Sequence, residues 1–209
     1  MIPVKVLSVR YLDNASPALL AGLGAPAGER CLGMLTTDCD DATYIALDAA
    51  TKAAQVRVCY GRSFYAGAAN ATTPNAGEVI GILAGPTPGA VRSGMEAALS
   101  ALERLGFEET GGVPYLAHTV ASAGSFLAGE AGVKAGSSLA YLIAPPLEGM
   151  YAMDAALKAA DVKLCKLYAP PSETNFGGGL LTGNQSACAA ACAAFRDAVA
   201  EVAGRPRKE

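Results

Sequence analysis

The chain contains two closely similar runs of sequence: Ala46–Cys59 reads ALDAATKAAQVRVC, and Ala152–Cys165 reads AMDAALKAADVKLC. The two copies align without a gap at an offset of 106 residues, which pairs Asp48 with Asp154. A second match follows between ILAGPTPGAV and LLTGNQSACA, now at an offset of 98 residues. Because self-similarity at a nearly fixed spacing is the signature of duplication, we expect two similar halves.

The same order of secondary structure is predicted in both halves. Alternating β-branched runs predict strands, and Ser-Pro or Thr-Pro pairs predict helix starts. The predicted strands are Val4–Arg10, Cys31–Thr37, Val56–Tyr60, Val79–Gly85, Tyr115–Ser122, Ser138–Ala144, Val162–Tyr168 and Gly179–Gly183. The predicted helices start at Ser16-Pro17 and cover Asp41–Ala54, Thr87–Leu105, Gly124–Ala131, Leu147–Ala160 and Asn184–Ala203. We therefore expect an α/β chain with two α+β, ferredoxin-like domains, 1–108 and 109–209, joined by a short linker at Gly106–Val113.

Composition excludes several classes of protein. Charged residues make up 17% of the 209 residues and apolar residues 52%, so membrane proteins must be considered. The two long uncharged runs, Thr110–Gly129 and Asn175–Phe195, are interrupted by Gly, Ser, Asn or Pro and do not resemble a spanning helix. The start, MIPVKVLSVR, lacks the apolar segment of a signal peptide. We predict a cytoplasmic protein that does not enter the membrane.

Catalytic and metal-binding chemistry is also poorly represented. His118 is the only histidine, and the sequence has no GxSxG element, metal-ligand spacing or phosphate loop. The six cysteines form no CxxC pair, and helical spacing places Cys188 and Cys192 on the same buried face as Phe195. A net charge of −3 without a basic patch argues against nucleic acid. We expect no enzyme activity, no metal and no cofactor.

Two long loops lie at equivalent positions of the two halves. They are Gly61–Glu78, GRSFYAGAANATTPNAGE, and Ala169–Gly179, APPSETNFGGG. Loops of about 12 residues or more without secondary structure are uncommon in compact domains unless they are functional or disordered. A mobile hairpin is the simple alternative, but the same elaboration in both halves favours a function.

Several segments resemble the EutL family, the tandem-domain shell proteins of ethanolamine-utilisation microcompartments. They are DCDDATYIALDAATKAA, YGRSFYAGAAN, AGEVIGILAGP, AYLIAPPLEGMYAMDAALKAADV, PPSETNF and LLTGNQSAC. The resemblance covers nearly the whole chain and departs at a shorter N-terminus and at the linker. It implies two tandem circularly permuted bacterial microcompartment domains in a structural shell protein. It also implies a homotrimeric pseudohexamer that packs with other shell proteins in the microcompartment shell.

The resemblance further implies a gated central pore. In the family, the long loops of both halves meet at the trimer axis and close or open that pore. By position they correspond to Gly61–Gly77 and Pro170–Gly178. The implied pore-loop residues are Tyr65, Gly67, Asn70, Gly77, Gly177 and Gly178. Glycines can absorb the backbone changes that gating needs.

A smaller pore within each subunit binds ethanolamine in the family. The matching residues are Asp40, Asp41, Glu78, Ala144, Thr174, Asn175 and Phe176. Carboxylates suit this ligand because ethanolamine carries an ammonium group. The second half does not keep the acids, since Pro146 and Phe176 stand at the places of Asp40 and Glu78. The alternative for Asp40 and Asp41 is simple stabilisation of a helix N-terminus.

A soluble regulatory module that binds a small molecule is the competing function, because duplicated ferredoxin-like units often serve that purpose. The two functions differ in assembly. A shell protein should form two-dimensional sheets, whereas a regulator should remain a small oligomer.

Overall fold

The computed structural model describes residues 1–64, 75–170 and 175–207, and the chain splits into two compact units. The N-terminal unit comprises Pro3–Gly106 together with Gly124–Leu127. The C-terminal unit comprises Met1–Ile2, Phe107–Ala123 and Ala128–Glu209. Both units combine a sheet with helices, so the predicted α/β class is confirmed.

The predicted elements occur in the predicted order, and the structure adds two strands that were not predicted, Ile2–Pro3 and Gly106–Thr110. The strands are β1 (Ile2–Pro3), β2 (Val6–Leu12), β3 (Cys31–Thr37), β4 (Arg57–Ser63), β5 (Val79–Gly85), β6 (Gly106–Thr110), β7 (Val113–Val120), β8 (Ser138–Ala144), β9 (Lys163–Tyr168) and β10 (Gly177–Gly183). The helices are α1 (Pro17–Gly22), α2 (Asp40–Ala53), α3 (Pro88–Leu102), α4 (Ser125–Ala131), α5 (Pro146–Ala159) and α6 (Gln185–Gly204). Strands β3, β5 and β8 have the predicted bounds, and the other predicted elements differ by no more than three residues.

The boundary between the two units falls after Gly106, inside the segment predicted as a short linker at Gly106–Val113, and most of that segment forms a hairpin. Strand β6 begins at Gly106 and pairs with β7, with Thr110 opposite Val113. The intervening Gly111 and Gly112 both have positive φ, which suits the tight turn of a two-residue hairpin. The segment therefore contributes strand β6 to the C-terminal sheet.

The N-terminal unit has a four-stranded antiparallel sheet in the order β2-β3-β5-β4. Helices α2 and α3 pack closely on one face because glycines in the strands leave room. A Cβ atom on Gly33 would lie 2.8 Å from Val91 Cγ1, and one on Gly81 would lie 2.7 Å from Leu47 Cδ1. A second apolar cluster joins the sheet to α1 and the residues after it: Ala15, Leu20, Leu23, Leu32, Ile82 and Ala84.

The C-terminal unit has a six-stranded sheet in the order β1-β6-β7-β8-β10-β9. Its last four strands, β7-β8-β10-β9, repeat the order β2-β3-β5-β4 of the N-terminal sheet. Helices α4, α5 and α6 follow β7, β8 and β10, just as α1, α2 and α3 follow the equivalent strands β2, β3 and β5. Helix α6 buries Cys188, Cys192 and Phe195 in the core, as its helical spacing predicts. All six cysteines are free thiols.

One buried carboxylate holds Gly124–Leu127 in the N-terminal unit. Asp48 on α2 is fully buried, and its Oδ2 and Oδ1 accept hydrogen bonds from the amides of Gly124 (2.7 Å) and Leu127 (2.9 Å). Lys52 Nζ lies 3.2 Å from Asp48 Oδ2. Burying a charge is costly unless it is paired and hydrogen-bonded, and Asp48 has both kinds of partner.

Gly178 offers a direct test of the C-terminal sheet. Its φ is +154°, and a Cβ atom would lie 1.9 Å from the carbonyl oxygen of Leu142 on β8. We expect Gly178→Ala to lower the free energy of unfolding by about 2 kcal/mol or more, measured as a fall in melting temperature. The control is Gly89→Ala on exposed α3 surface, where the new methyl meets nothing within 4 Å. Equal melting temperatures for Gly178→Ala and the parent would contradict the assigned backbone.

Candidate ligand site and pore segments

The turn between β3 and α2 is fixed by threonine hydroxyls. The hydroxyls of Thr37 and Thr43 are 2.7 Å apart, and the Cys39 amide donates to Thr37 Oγ1 at 3.2 Å. Thr43 Oγ1 in turn donates to the Cys39 carbonyl at 2.7 Å. Cys39 is the N-cap residue of α2 but makes no side-chain capping bond. The two threonines therefore position the acidic start of α2.

Asp40 is buried and hydrogen-bonded on both carboxylate oxygens. The Asp41 amide donates to Oδ1 at 2.9 Å, and Ser63 Oγ on β4 donates to Oδ2 at 2.8 Å. Burial raises the pKa of the Asp40 carboxyl above its ordinary 3.8, and the Ser63 and amide hydrogen bonds oppose that rise only in part. The helix N-terminus adds favourable positive potential at this place. The buried surroundings of Asp40 therefore make ionisation of its carboxyl less favourable than it would be in water.

The three acids predicted from the sequence lie close together at the start of α2: Asp41 follows Asp40, and Ser63 Oγ is 2.8 Å from Asp40 Oδ2 and 3.4 Å from the Glu78 carbonyl oxygen. Burial raises the pKa of Cys39 most, and the negative charges of Asp41, Asp40 and Glu78 raise it further. Asp41 is buried like Asp40, whereas Glu78 is partly exposed. The structure therefore brings these three predicted site residues together in the N-terminal unit as an acidic cluster, defined by Asp40, Asp41 and Glu78.

Gly77 fixes the approach of Glu78 to this cluster. Its φ is +66°, and a Cβ atom would lie 2.1 Å from the Thr37 carbonyl oxygen. That carbonyl accepts a hydrogen bond from the Glu78 amide at 2.7 Å, and the Glu78 carbonyl accepts one from Phe64 at 2.7 Å. Only glycine combines this backbone conformation with such a close approach. Gly77 is therefore a positioning residue in the structure described, whatever its part in gating.

The other predicted ligand residues belong to the C-terminal unit. Ala144 ends β8, is fully buried and pairs with Gly177. Asn175 is exposed with a φ of +65°, a conformation that asparagine tolerates better than most residues. The Phe176 ring packs against Phe107 of β6, with 5.6 Å between centroids. Thr174 lies outside the described residues.

The predicted pore segments begin and end differently from the sequence prediction. Strand β4 runs to Ser63, so the first loop starts at Phe64 rather than Gly61. Gly177 and Gly178 pair with Ala144 and Ile143 within β10, so the second loop ends before them. Their assignment as loop residues is wrong, because the hydrogen bonds of an antiparallel ladder occupy their backbone. Tyr65, Gly67 and Asn70 lie outside the described residues.

Sequence reasoning missed three polar residues that support the acids. Thr37, Thr43 and Ser63 are all hydrogen-bonded in or beside the acidic cluster. The two threonines could have been found, because they flank the helix start within six residues. Ser63 lies 23 residues from its partner, and only the pairing of β4 with β5 carries it there.

Across residues 1–64, 75–170 and 175–207, no group of three or more His, Cys, Asp or Glu residues is arranged to hold a metal ion. Among the helices described, none has the length and apolar content needed to cross a bilayer.

Comparisons with known proteins identify the family. Residues 31–120 match the family model of the BMC domain. The chain is 55% identical to the bacterial microcompartment shell protein EutL of Clostridium perfringens (strain 13 / Type A), over 99% of this chain and 97% of that protein. It is 46% identical to EutL of Escherichia coli (strain K12), over 99% and 96%.

The chain belongs to the EutL family of bacterial microcompartment shell proteins. It is a structural component of a microcompartment shell and not an enzyme. Solved structures agree: it superposes on EutL from Leptotrichia buccalis C-1013-b with a TM-score of 0.96 at 55% identity, covering 100% of this chain and 98% of that one. EtuB from Clostridium kluyveri, at 22% identity and a TM-score of 0.78 over 93% and 86%, shares the fold.

The position of the BMC match within this EutL-family chain explains the predicted permutation. The matched segment starts at the beginning of β3 and ends with β7. In the compact N-terminal unit, the strand equivalent to β7 is β2, which precedes β3. The family model therefore starts at β3 and ends with β7, whereas the compact unit starts with β2. A chain that uses equivalent strands but starts at a different one is circularly permuted.

The raised pKa of Asp40 predicts a pH-dependent stability difference. A carboxyl whose pKa is higher in the folded state destabilises the fold once it ionises, so its stability contribution is present at low pH and lost as pH rises through that pKa. Asp40→Asn removes the charge; its Oδ1 can still accept from the Asp41 amide, and its Nδ2 can donate to Ser63 Oγ, which reverses the direction of that second hydrogen bond. We expect the variant to melt at a higher temperature than the parent at pH 7, with the difference disappearing below about pH 4. A constant difference from pH 3 to 8 would contradict this account.

Proposed function

We propose that this shell protein forms a trimeric pseudohexamer in the shell of an ethanolamine-utilisation microcompartment, with ethanolamine bound at the acidic cluster and a gated central pore. The observation that carries the assembly is the repeat of one strand order in two units of one chain. Three such chains supply six similar units around one axis. A closed ring of similar contacts is the usual architecture of soluble oligomers.

The identity of the ligand rests on charge and relationship together. Two relatives at 55% identity are EutL proteins, and one is described as an ethanolamine utilization protein. Ethanolamine offers one ammonium group and one hydroxyl, and the acidic cluster offers three carboxyl groups, two of them buried. An ammonium ion near buried Asp40 would relieve the cost of its ionisation, because an opposite charge favours the charged form. The full-length identity to shell proteins favours this function over a regulatory module.

Affinity for so small a ligand is bounded. Ethanolamine has four non-hydrogen atoms, and a ceiling of about 1.5 kcal/mol per atom limits its binding free energy to about 6 kcal/mol. That corresponds to a Kd no tighter than roughly tens of micromolar. Such a site suits the passage or sensing of an abundant substrate.

The pore proposal follows the family. The segments between β4 and β5 and between β9 and β10 occupy equivalent places in the two units. We propose that residues 64–77 and 170–176, with Tyr65, Gly67 and Asn70 in the first, surround the trimer axis and control passage. Two stable arrangements of these segments in crystals grown with and without ligand would support gating.

Ligand binding is testable by calorimetry. We expect ethanolamine to bind the parent protein with a Kd between about 0.05 and several millimolar, and Glu78→Gln to weaken binding at least fivefold through the loss of one charge. Ethylene glycol, which has similar size and no charge, should not bind. The matched control variant is Glu109→Gln, an exposed carboxylate on β6. Unchanged binding by Glu78→Gln would remove this residue from the site.

Assembly is testable by electron microscopy and light scattering. We expect a mass of three chains at low concentration, each of 21.0 kDa, and flat two-dimensional sheets at high concentration. Sheets should dissolve in high salt only if polar contacts dominate the edges. A monomer at every concentration would overturn the proposed shell assembly.

A further inference from the structure

The two units of the chain share one fold but differ in the residues that line the start of one helix. That helix is α2 in the N-terminal unit and α5 in the C-terminal unit, and each follows an equivalent strand. Thr37 at the end of β3 pairs with Val79 on β5. At the equivalent place, Ala144 at the end of β8 pairs with Gly177 on β10. The two helix starts can therefore be compared residue by residue.

The polar residues of the N-terminal helix start all have apolar counterparts in the C-terminal unit. They comprise the acidic cluster and the three hydroxyl residues beside it, and their counterparts follow from strand register and from position along the helix. In chain order, Thr37, Asp40, Asp41, Thr43, Ser63 and Glu78 correspond to Ala144, Pro146, Leu147, Gly149, Ala169 and Phe176. The acids and the hydroxyls are therefore absent together from the second unit.

The C-terminal unit shows that the fold does not need these hydroxyls. A Cβ atom on Gly149 would lie 2.6 Å from the Gly177 carbonyl oxygen, so the start of α5 packs directly against β10. The same strand order and the same helix length of 14 residues are reached with no side-chain hydroxyl at any of the three places. The hydroxyls therefore accompany the acids rather than the fold.

The three hydroxyl residues act on different groups. The hydroxyls of Thr37 and Thr43 bond each other and the carbonyl of Cys39, so they hold the turn before α2. The Ser63 hydroxyl on β4 donates to Asp40 Oδ2 instead. Ser63 therefore acts directly on a carboxylate of the acidic cluster.

The Ser63 hydrogen bond reaches Asp40 from outside the helix that carries it. The other hydrogen bonds that lower the pKa of the Asp40 carboxyl come from Asp40 and Asp41 themselves. Ser63 Oγ also lies 3.4 Å from the carbonyl oxygen of Glu78, which belongs to the same cluster. One hydroxyl thus fixes the Asp40 side chain relative to the backbone of a second acid.

We propose that Ser63 is a positioning residue for ethanolamine: its hydroxyl holds the Asp40 carboxylate in the orientation that receives the ammonium group of the ligand. This role rests on the proposed ethanolamine site and names a residue that controls its affinity. A hydrogen bond to a carboxylate is charge-assisted and favours the ionised form, which is the form that attracts an ammonium ion.

The role predicts a dependence on pH that a merely structural hydroxyl would not give. The titratable groups around Asp40 are Asp41 and Cys39 on either side of it and Glu78 before β5, and burial raises the pKa of the Cys39 thiol so that it stays protonated. Without the Ser63 hydrogen bond, the pKa of the Asp40 carboxyl rises further. More of it is then protonated at acidic pH, and the ammonium group meets one negative charge fewer. At higher pH Asp40 is ionised with or without Ser63, so the loss of affinity becomes smaller.

Calorimetric titration with ethanolamine at two pH values tests this role. We expect Ser63→Ala to raise the Kd at least about fivefold at about pH 5.5, and by a clearly smaller factor at about pH 8. Ser63→Thr keeps the hydroxyl and should bind within about twofold of the parent at both pH values. The matched control is Ser138→Ala on β8, which removes a hydroxyl that donates to the Ala121 carbonyl at 2.7 Å. Its Kd should equal that of the parent, and both alanine variants should show a similar small fall in melting temperature.

The outcomes separate this inference from the proposed function. An unchanged Kd in Ser63→Ala, while Glu78→Gln weakens binding, would overturn the role of Ser63 and leave the ethanolamine site in place. The same factor at both pH values, without rescue by Ser63→Thr, would also overturn it, because the serine would then be only structural. A parent protein that binds no ethanolamine would overturn the site and the role of Ser63 together.

Discussion

The fully buried carboxylate of Asp48 joins two parts of the chain that are far apart in sequence. It accepts two amides from Gly124–Leu127 and pairs with Lys52, so a segment from the second half of the sequence belongs to the first compact unit. A charge in such a place is stable only while all its partners remain, and removing one partner commonly costs about 3–5 kcal/mol. Asp48 therefore makes the folding of one unit depend on a segment outside its own stretch of sequence.

The acidic cluster follows a different logic. Its carboxylates sit where β3, β4 and the start of α2 converge, and hydroxyls of Thr37, Thr43 and Ser63 hold that geometry. Burial makes the charge on Asp40 unfavourable and raises the pKa of its carboxyl. A site of this kind gains from a small cation for electrostatic reasons alone. The equivalent place in the C-terminal unit has Pro146 where the N-terminal unit has Asp40. Only one unit of each chain therefore carries a carboxyl group at this position.

Sequence reasoning recovered the duplication, the order of elements and the bounds of β3, β5 and β8, because buried strands appear as continuous apolar runs. It missed the two-residue strand β1 and the five-residue strand β6, whose Glu108 and Glu109 are exposed and give no such run. The three acids could be found as residue types at a helix start and a strand entry. Ser63 could not, because its partner Asp40 lies 23 residues away at the start of α2. Asp48 is fully buried, whereas Asp154, its counterpart on α5, is exposed. The sequence could not predict this difference, because the two local sequences are nearly the same.

The covalent continuity of the chain makes the Asp48 contact independent of protein concentration. Because both sides of that contact are in one polypeptide, they meet at an effective concentration of the order of millimolar or higher, independent of how much protein the cell holds. If Gly124–Leu127 were on a separate chain, the two sides would have to find each other by diffusion and would part on dilution. Fusion therefore makes this contact insensitive to mass action. Any contact between whole chains still responds to expression level.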